Sequence, residues 1–316
     1  MKILVYGAGV LGSYLTHVLH RGGNDVTVLA RGKREQEIKQ SGLIIRHSLQ
    51  LKTTVDKVKV TGSLLPEDFY DIIFVVMQYS QIENILPLLA GNIKSKHIVF
   101  IGNNPTADDT LAYIRSNSPV QKQVLFGFQS SGGRRESGKI ISIHARNLSK
   151  LTLGSLDGHN GSYSVIEKAF MNTTYQLEFR NDMLDWLKSH VAFIMPLAYL
   201  TYQCNGNLKK AFNNQKLLAQ VVDAIDEGYK VLEACGYKPL PIEQVESVRN
   251  KRKTTRLLLN FIVITPLGRL AISDHAVSAF EEMKKLSDAF DELRHKCSVA
   301  TPNWIDLESY MMKSIK

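Results

Sequence analysis

Three groups of residues have types and spacings that could do chemistry: a glycine turn at 7–12, a basic run at 31–34, and a lysine in an apolar stripe at 188. Gly7-Ala8-Gly9-Val10-Leu11-Gly12 follows the β-branched run Lys2–Tyr6 and precedes residues 13–19, whose apolar positions recur with helical period. Strand, glycine turn and helix is the order a dinucleotide site needs. Gly7 permits the turn, Gly9 lets the backbone approach a pyrophosphate, and Gly12 lets the helix pack on the strand. The helix start then offers N–H groups and a positive dipole end to the anion. Residues 26–30 read as the second strand of the same unit and end at Arg31-Gly32-Lys33-Arg34, where an NAD site usually carries an acid for the ribose 2′-OH. No carboxylate stands there. A guanidinium at Arg31 can stack on adenine and hold a 2′-phosphate, which favours NADPH over NADH; the alternative is a solvated basic loop.

Lys188 lies on one helical face with Leu184, Val191, Ala192 and Met195. An ammonium in an apolar stripe is costly unless it faces a cleft or a partner. It could donate a proton to an alkoxide forming during hydride transfer and attract a substrate carboxylate. The competing reading is a snorkelling lysine paired with Asp185. His190 is a second proton-transfer candidate, but it shares a face with Trp186 and Phe193, as a packed core histidine would.

These groups need a scaffold, and the first half of the chain alternates strands and helices. Residues 43–45 and 53–60 read as short edge strands. Residues 71–77 form a buried strand that leads through Gln78 into an apolar helix ending near Leu89. Residues 97–101 form another strand, ending at Gly102-Asn103-Asn104-Pro105. Parallel strands place ligand loops at their carboxyl ends, so the Gln78 and Asn103 loops are expected to converge on the same nucleotide as the glycine turn. Strands at 124–128, 139–144 and 150–154, with a turn-rich link at 132–138, are expected to extend the sheet in a mixed or antiparallel sense. A helix at 164–170 and a last strand at 175–179 follow, and from Asp182 nearly everything reads as helix. The expected fold is α/β: a Rossmann-type dinucleotide-binding domain over 1–180, then an all-α domain over 181–316 carrying substrate and catalytic groups.

With 316 residues, 44% hydrophobic and 22% charged, the chain has the composition of a two-domain globular protein. No apolar run approaches membrane-spanning length, and residues 3–6 are not a signal peptide, so a cytoplasmic protein is expected. Cys204, Cys235 and Cys297 are odd in number and widely spaced, which suggests free thiols rather than disulfides or a metal site. The net charge of +9 is scattered, without an aromatic-interleaved patch, and suits anionic small molecules at least as well as nucleic acid.

Taken together, GAGVLGS at 7–13, Arg31, Gly102-Asn103-Asn104, GGRRESGKI at 132–140 and Trp186-Leu187-Lys188 resemble the ketopantoate reductase family over most of the chain. The resemblance implies NADP(H) as cofactor and hydride transfer to a small 2-keto acid, ketopantoate to pantoate in pantothenate biosynthesis. It implies that Asn103 lies between nicotinamide and substrate, that Gly133 lies near the cofactor, and that Lys188 is the catalytic lysine. It further implies that Glu282, counted back from Thr301-Pro302, contacts cofactor and substrate, and that Asn205, in the segment after Pro196, contacts substrate. The chain departs from the family pattern in four places. Gln78 stands where the family has a cofactor-site lysine. Two substrate-binding asparagines fall at apolar positions, around Val191 or Ala192 and at Met195. Lys188 is offset by one when Pro196 is aligned. The substrate-contacting serine-rich segment is replaced by residues 265–275, where Arg269 or His275 could supply an anion-binding or proton-transfer group. These departures leave open a different carbonyl substrate, or a non-catalytic NADP(H)-binding regulator. The partners expected are a small-molecule carbonyl compound and, as an open option, a second copy of the chain in a homodimer, with no nucleic acid, membrane or metal.

Overall fold

The chain winds its first half about β1 (Lys2–Tyr6), whose Ile3, Leu4 and Val5 are wholly buried. The computed structural model describes residues 1–143, 149–159 and 161–313, without the side chains of residues 267 and 271. The chain folds as two compact units, Met1–Gly102 with Thr106–Met183, and Asn103–Pro105 with Leu184–Lys316.

In the first unit β1 pairs in parallel on both sides, with β2 (Asp25–Leu29) and with β6 (Ile72–Val75). The remaining strands are β3 (Leu43–His47), β4 (Lys52–Asp56), β5 (Lys59–Thr61), β7 (His97–Ile101), β8 (Gln123–Gln129), β9 (Gly132–Glu136), β10 (Lys139–Ile143), β11 (Lys150–Gly154) and β12 (Gln176–Arg180). The main sheet has the order β12-β11-β8-β7-β6-β1-β2-β5, parallel except where β11 meets β8. The chain builds outward from β1 through β2 to β5, then returns to the other side of β1 at β6. That reversal places a topological switch point at the carboxyl ends of β1 and β6, directly above the glycine turn.

Four sequence expectations need correction. Residues 53–60 are two strands rather than one: β4 pairs with β3 in a separate four-stranded sheet, and β5 edges the main sheet. Residues 139–143 do not extend the main sheet but pair with β3 and β9 in the second one; His144, the end of that predicted strand, lies outside the described residues. The supposed link at 132–138 is mostly strand β9. Its turn is only Ser137-Gly138, both with φ > 0 (47° and 78°), as a two-residue hairpin with the twist of its strands demands. Glycine and charge at 132–136 read as loop because the pairing that makes them a strand is with distant residues. The helix expected to run to Leu89 is broken into Tyr79–Ile82, a 3₁₀ turn at Glu83–Ile85, and Leu86–Gly91.

The second sheet is tied to the helix behind the glycine turn by one buried carboxylate. Asp56, at the end of β4, lies 2.5 Å from His17 Nδ1 and accepts from Arg21 Nε at 2.6 Å, both on the helix Val10–Arg21. The His17 ring stands 5.0 Å from that of His47 on β3. In the second unit the helix Met183–Gln203 precedes Gln215–Ala234, Phe280–Lys296 and Pro302–Lys313. Their core centres on Trp304, stacked on Phe290 at 4.5 Å and edge-on to Tyr199 at 5.7 Å. Glu227 Oε2 accepts from the Trp304 backbone N–H at 2.8 Å, placing a carboxylate at the positive end of the last helix.

Burial works to raise the Asp56 carboxyl, but the hydrogen bond and charge of His17, then of Arg21, outweigh it and hold it below the usual range. A depressed folded pKa contributes stability above the unfolded value of about 3.9 and loses it as pH falls through the folded one. Denaturant unfolding should therefore show Asp56→Asn to cost about 2 kcal/mol at pH 7, the gap to the wild type closing below about pH 4.

Candidate active site

The glycine turn is built at the switch point by close backbone packing. Gly7 N–H donates to the Leu29 carbonyl at 3.2 Å, and Val76 N–H donates to the Tyr6 carbonyl at 2.9 Å. A Cβ on Gly12 would lie 2.0 Å from the Gly7 carbonyl oxygen, so the helix approaches the turn as closely as backbone allows. Gly9 differs: a Cβ there would meet nothing within 4 Å, and its φ of −71° suits any residue. Gly9 therefore fills no protein contact, and it caps a helix whose first turn carries no acidic side chain. The N–H groups of Val10 and Leu11 fall in that first turn, where helix geometry offers no partner. Ala8 is buried and its carbonyl accepts from Ser13 Oγ at 3.1 Å. The residues present fit a dinucleotide pyrophosphate.

The two arginines after β2 divide their work. Arg31 is exposed, donates to the Tyr6 hydroxyl at 2.6 Å and lies 5.8 Å from that ring. Arg34, buried at 7% exposure, belongs to the scaffold: it donates to the Ala8 carbonyl at 3.2 Å, to the Gly138 carbonyl at 2.8 Å and to Ser13 Oγ at 3.3 Å. Sequence reasoning missed this clamp, although Arg34 and Ile38, four apart, are the two buried residues of their helix. Gly133 on β9 has φ of +150°, and its Cβ would lie 3.1 Å from Val10 Cγ1, so it borders the glycine turn. Gln78 follows β6 and starts the short helix Tyr79–Ile82.

In the second unit three predicted residues gather on one loop. Lys188, 4% exposed, donates from Nζ to the Pro105 carbonyl at 2.5 Å and lies 4.7 Å from the Tyr237 ring centroid. Asn103 Nδ2 donates to Glu282 Oε1 at 3.2 Å, and both residues are buried. Asn103 Oδ1 is buried without a hydrogen-bond partner. Two histidines join them. His275 Nε2 lies 3.7 Å from Glu282 Oε2, and the His190 ring stacks on Trp186 at 5.2 Å with 4° between planes. Burial, and then the nearby charge of His275, push His190 down to about 4, so it stands neutral at pH 7. His275 was expected from its place in the segment 265–275; Ala279 interrupts the helix between it and Glu282.

Other expected positions have structural work. Asn205 is exposed with φ of 51° and ends the helix Met183–Gln203 in the left-handed region, its N–H donating to the Tyr202 carbonyl at 2.9 Å. The next carbonyl, of Gly206, accepts from Ser273 Oγ, which ties this turn to the segment bearing His275. Val191, Ala192 and Met195 are wholly buried core. Arg269 is exposed and lies 3.5 Å from Asp274. Among the described residues no helix is long and apolar enough to cross a membrane, and no group of three or more His, Cys, Asp or Glu could hold a metal ion.

A glycine turn at the switch point of a parallel sheet, followed by a helical unit with a buried lysine, is the architecture of dinucleotide-dependent oxidoreductases. Residues 3–158, just under half of the chain, match the family model "Ketopantoate reductase PanE/ApbA", a family of oxidoreductases acting on CH–OH groups. The chain is 23% identical over 241 residues to a 2-dehydropantoate 2-reductase of Pyrococcus horikoshii, covering 75% of each chain. Among solved structures it resembles a D-mandelate dehydrogenase in ternary complex with NADH and anilino(oxo)acetate, at TM-score 0.78 and 17% identity over 99% of this chain and 98% of that one. It also resembles the 2-dehydropantoate 2-reductase of Methylococcus capsulatus, at TM-score 0.74 and 20% identity over 100% and 96%.

Gly9→Ala should keep the wild-type melting temperature yet bind reduced nicotinamide dinucleotide about tenfold or more weakly, because only a ligand would meet the new methyl. Gly12→Ala should instead lose about 2 kcal/mol or more of stability. Melting curves and fluorescence titrations distinguish the two.

Proposed function

We propose that the protein is an NADPH-dependent reductase of a small 2-keto acid, with ketopantoate, reduced to pantoate in pantothenate biosynthesis, as its first candidate. The observation that carries this reading is the convergence of Lys188 and the Asn103–Glu282 pair on one loop at the carboxyl end of β7. Gly7, Ala8, Gly9, Val10, Leu11 and Gly12 would hold the pyrophosphate, with Gly133 and Gln78 bordering the dinucleotide. Arg31 would take the adenine face and the 2′-phosphate, since Arg34 is committed to backbone carbonyls. When bound, the cofactor supplies hydride to the carbonyl carbon.

The chain's own residues supply the rest. Lys188 Nζ gives a proton to the oxygen that becomes the alcohol, and its charge stabilises the developing alkoxide. Asn103, with an acceptor oxygen to spare, orients the reacting groups, while Glu282 holds the Asn103 amide in place. Asn205 would reach substrate only from the turn beside the His275 segment. A second reading, reduction of a different carbonyl substrate, is favoured by Val191, Ala192 and Met195. Where relatives have amide donors this helix face is packed hydrocarbon, and a keto acid that needs those donors would bind poorly. Retention of Lys188, Asn103 and Glu282 in one cluster speaks against a purely regulatory role.

Titration with NADPH and NADH, followed by cofactor absorbance on adding a panel of 2-keto acids that includes ketopantoate, tests the proposal. NADPH should bind preferentially and be oxidised; tight binding without oxidation of any member would overturn the catalytic reading. Lys188→Ala should lower kcat by about 10²-fold or more with NADPH affinity unchanged. Arg31→Ala should erase about tenfold or more of the preference for NADPH over NADH.

A further inference from the structure

Two of the three cysteines, 62 residues apart in sequence, meet in the second unit with 3.3 Å between their sulfurs. Cys235 caps the C-terminus of the helix Gln215–Ala234, and Cys297 caps the C-terminus of Phe280–Lys296. Both thiols donate to one carbonyl, that of Leu293, at 3.4 and 3.2 Å. Each is partly exposed, whereas Cys204 is 3% exposed and its thiol is pushed up by burial.

We propose that Cys235 and Cys297 form a redox-active dithiol that a low-molecular-weight disulfide oxidises to an intramolecular disulfide. Closing 3.3 Å to a bond of about 2.05 Å takes a sulfur displacement of about 1.2 Å. Both side chains sit at helix ends, where rotation about Cα–Cβ meets no following turn; Cys297 is already extended, with φ of −123° and ψ of 139°. Burial, and then the neighbouring Cys235, push the Cys297 thiol up to about 11, so Cys297 rests as a thiol.

The exchange is balanced in two steps. One cysteine, as thiolate, attacks a sulfur of the small disulfide, breaking its S–S bond and releasing one small thiol. The second cysteine attacks the mixed disulfide on the protein sulfur, releasing the other small thiol. Two protein S–H groups are oxidised to one S–S bond, and one small disulfide is reduced to two thiols. The bond would join two helix ends across a 62-residue separation, and Tyr237, two residues beyond Cys235, would report it at Lys188.

The test is to equilibrate the folded protein with glutathione disulfide and follow thiol count, intact mass and peptide maps. The wild type should retain one thiol of three, gain no glutathione and yield joined Cys235 and Cys297 peptides, with a melting temperature raised in the oxidised form and restored by dithiothreitol. Cys204→Ser should form the same cross-link, and Cys235→Ser should instead carry glutathione at Cys297. Three retained thiols, or glutathione on the wild type without the cross-link, in protein with a native circular dichroism spectrum, would overturn the proposal. No step of the test depends on the reductase activity, so its failure and that of the proposed function are separable.

Discussion

A lysine ammonium at 4% exposure has to be solvated by the protein itself, and the second unit is arranged around that requirement. Lys188 finds a carbonyl oxygen on Pro105 and the negative face of the Tyr237 ring. Tyr237 is presented by the turn that ends the helix Gln215–Ala234, where its N–H donates to the Leu232 carbonyl at 2.9 Å. Pro105 is presented by the loop that leaves β7. Placing one charge thus constrains a helix, a helix end and a strand-terminal loop at once.

The same loop carries the second polar demand. Asn103 uses its amide N–H on Glu282, and the partnerless Oδ1 is a cost that a bound hydroxyl or amide would remove. Glu282 is shared with His275 at 3.7 Å. His190, stripped of water against Trp186, stays neutral and adds no charge to the group. Lys188 and Glu282 each find a polar neighbour, the Pro105 carbonyl and the Asn103 amide, on the same loop.

In the first unit the governing constraint is steric. The helix Val10–Arg21 rests on the glycine turn with no room for a Cβ at Gly12, while the space beside Gly9 is left open. Arg34 and Asp56 then lock this geometry from behind, one through backbone carbonyls and the other through His17 and Arg21. Their charges are spent on the scaffold, which leaves Arg31 on the surface.

The local facts of this protein were legible in its residues. The run Lys2–Tyr6 ahead of three spaced glycines declares a buried strand, a tight turn and a helix, because only local sterics and hydrophobic period are involved. The switch to helix after residue 182 follows from the same periodicity. Likewise, the resemblance carried by GAGVLGS, Arg31 and Trp186-Leu187-Lys188 led to the family that residues 3–158 match. Long-range pairing was not legible. Residues 132–136 become a strand only because β10 lies beside them, and residues 53–60 split because β3 and β2 each claim one part. His275 joins Glu282, and Cys235 meets Cys297, through helix ends whose approach no spacing in the chain encodes. Sequence alone determined the local elements, such as the first strand, its glycine turn and the helix after it; tertiary structure decided which distant segments pair and which charges are spent on the scaffold. The reason is that a side chain's role depends on what its burial leaves it to bond with, and burial is settled only when distant segments pack.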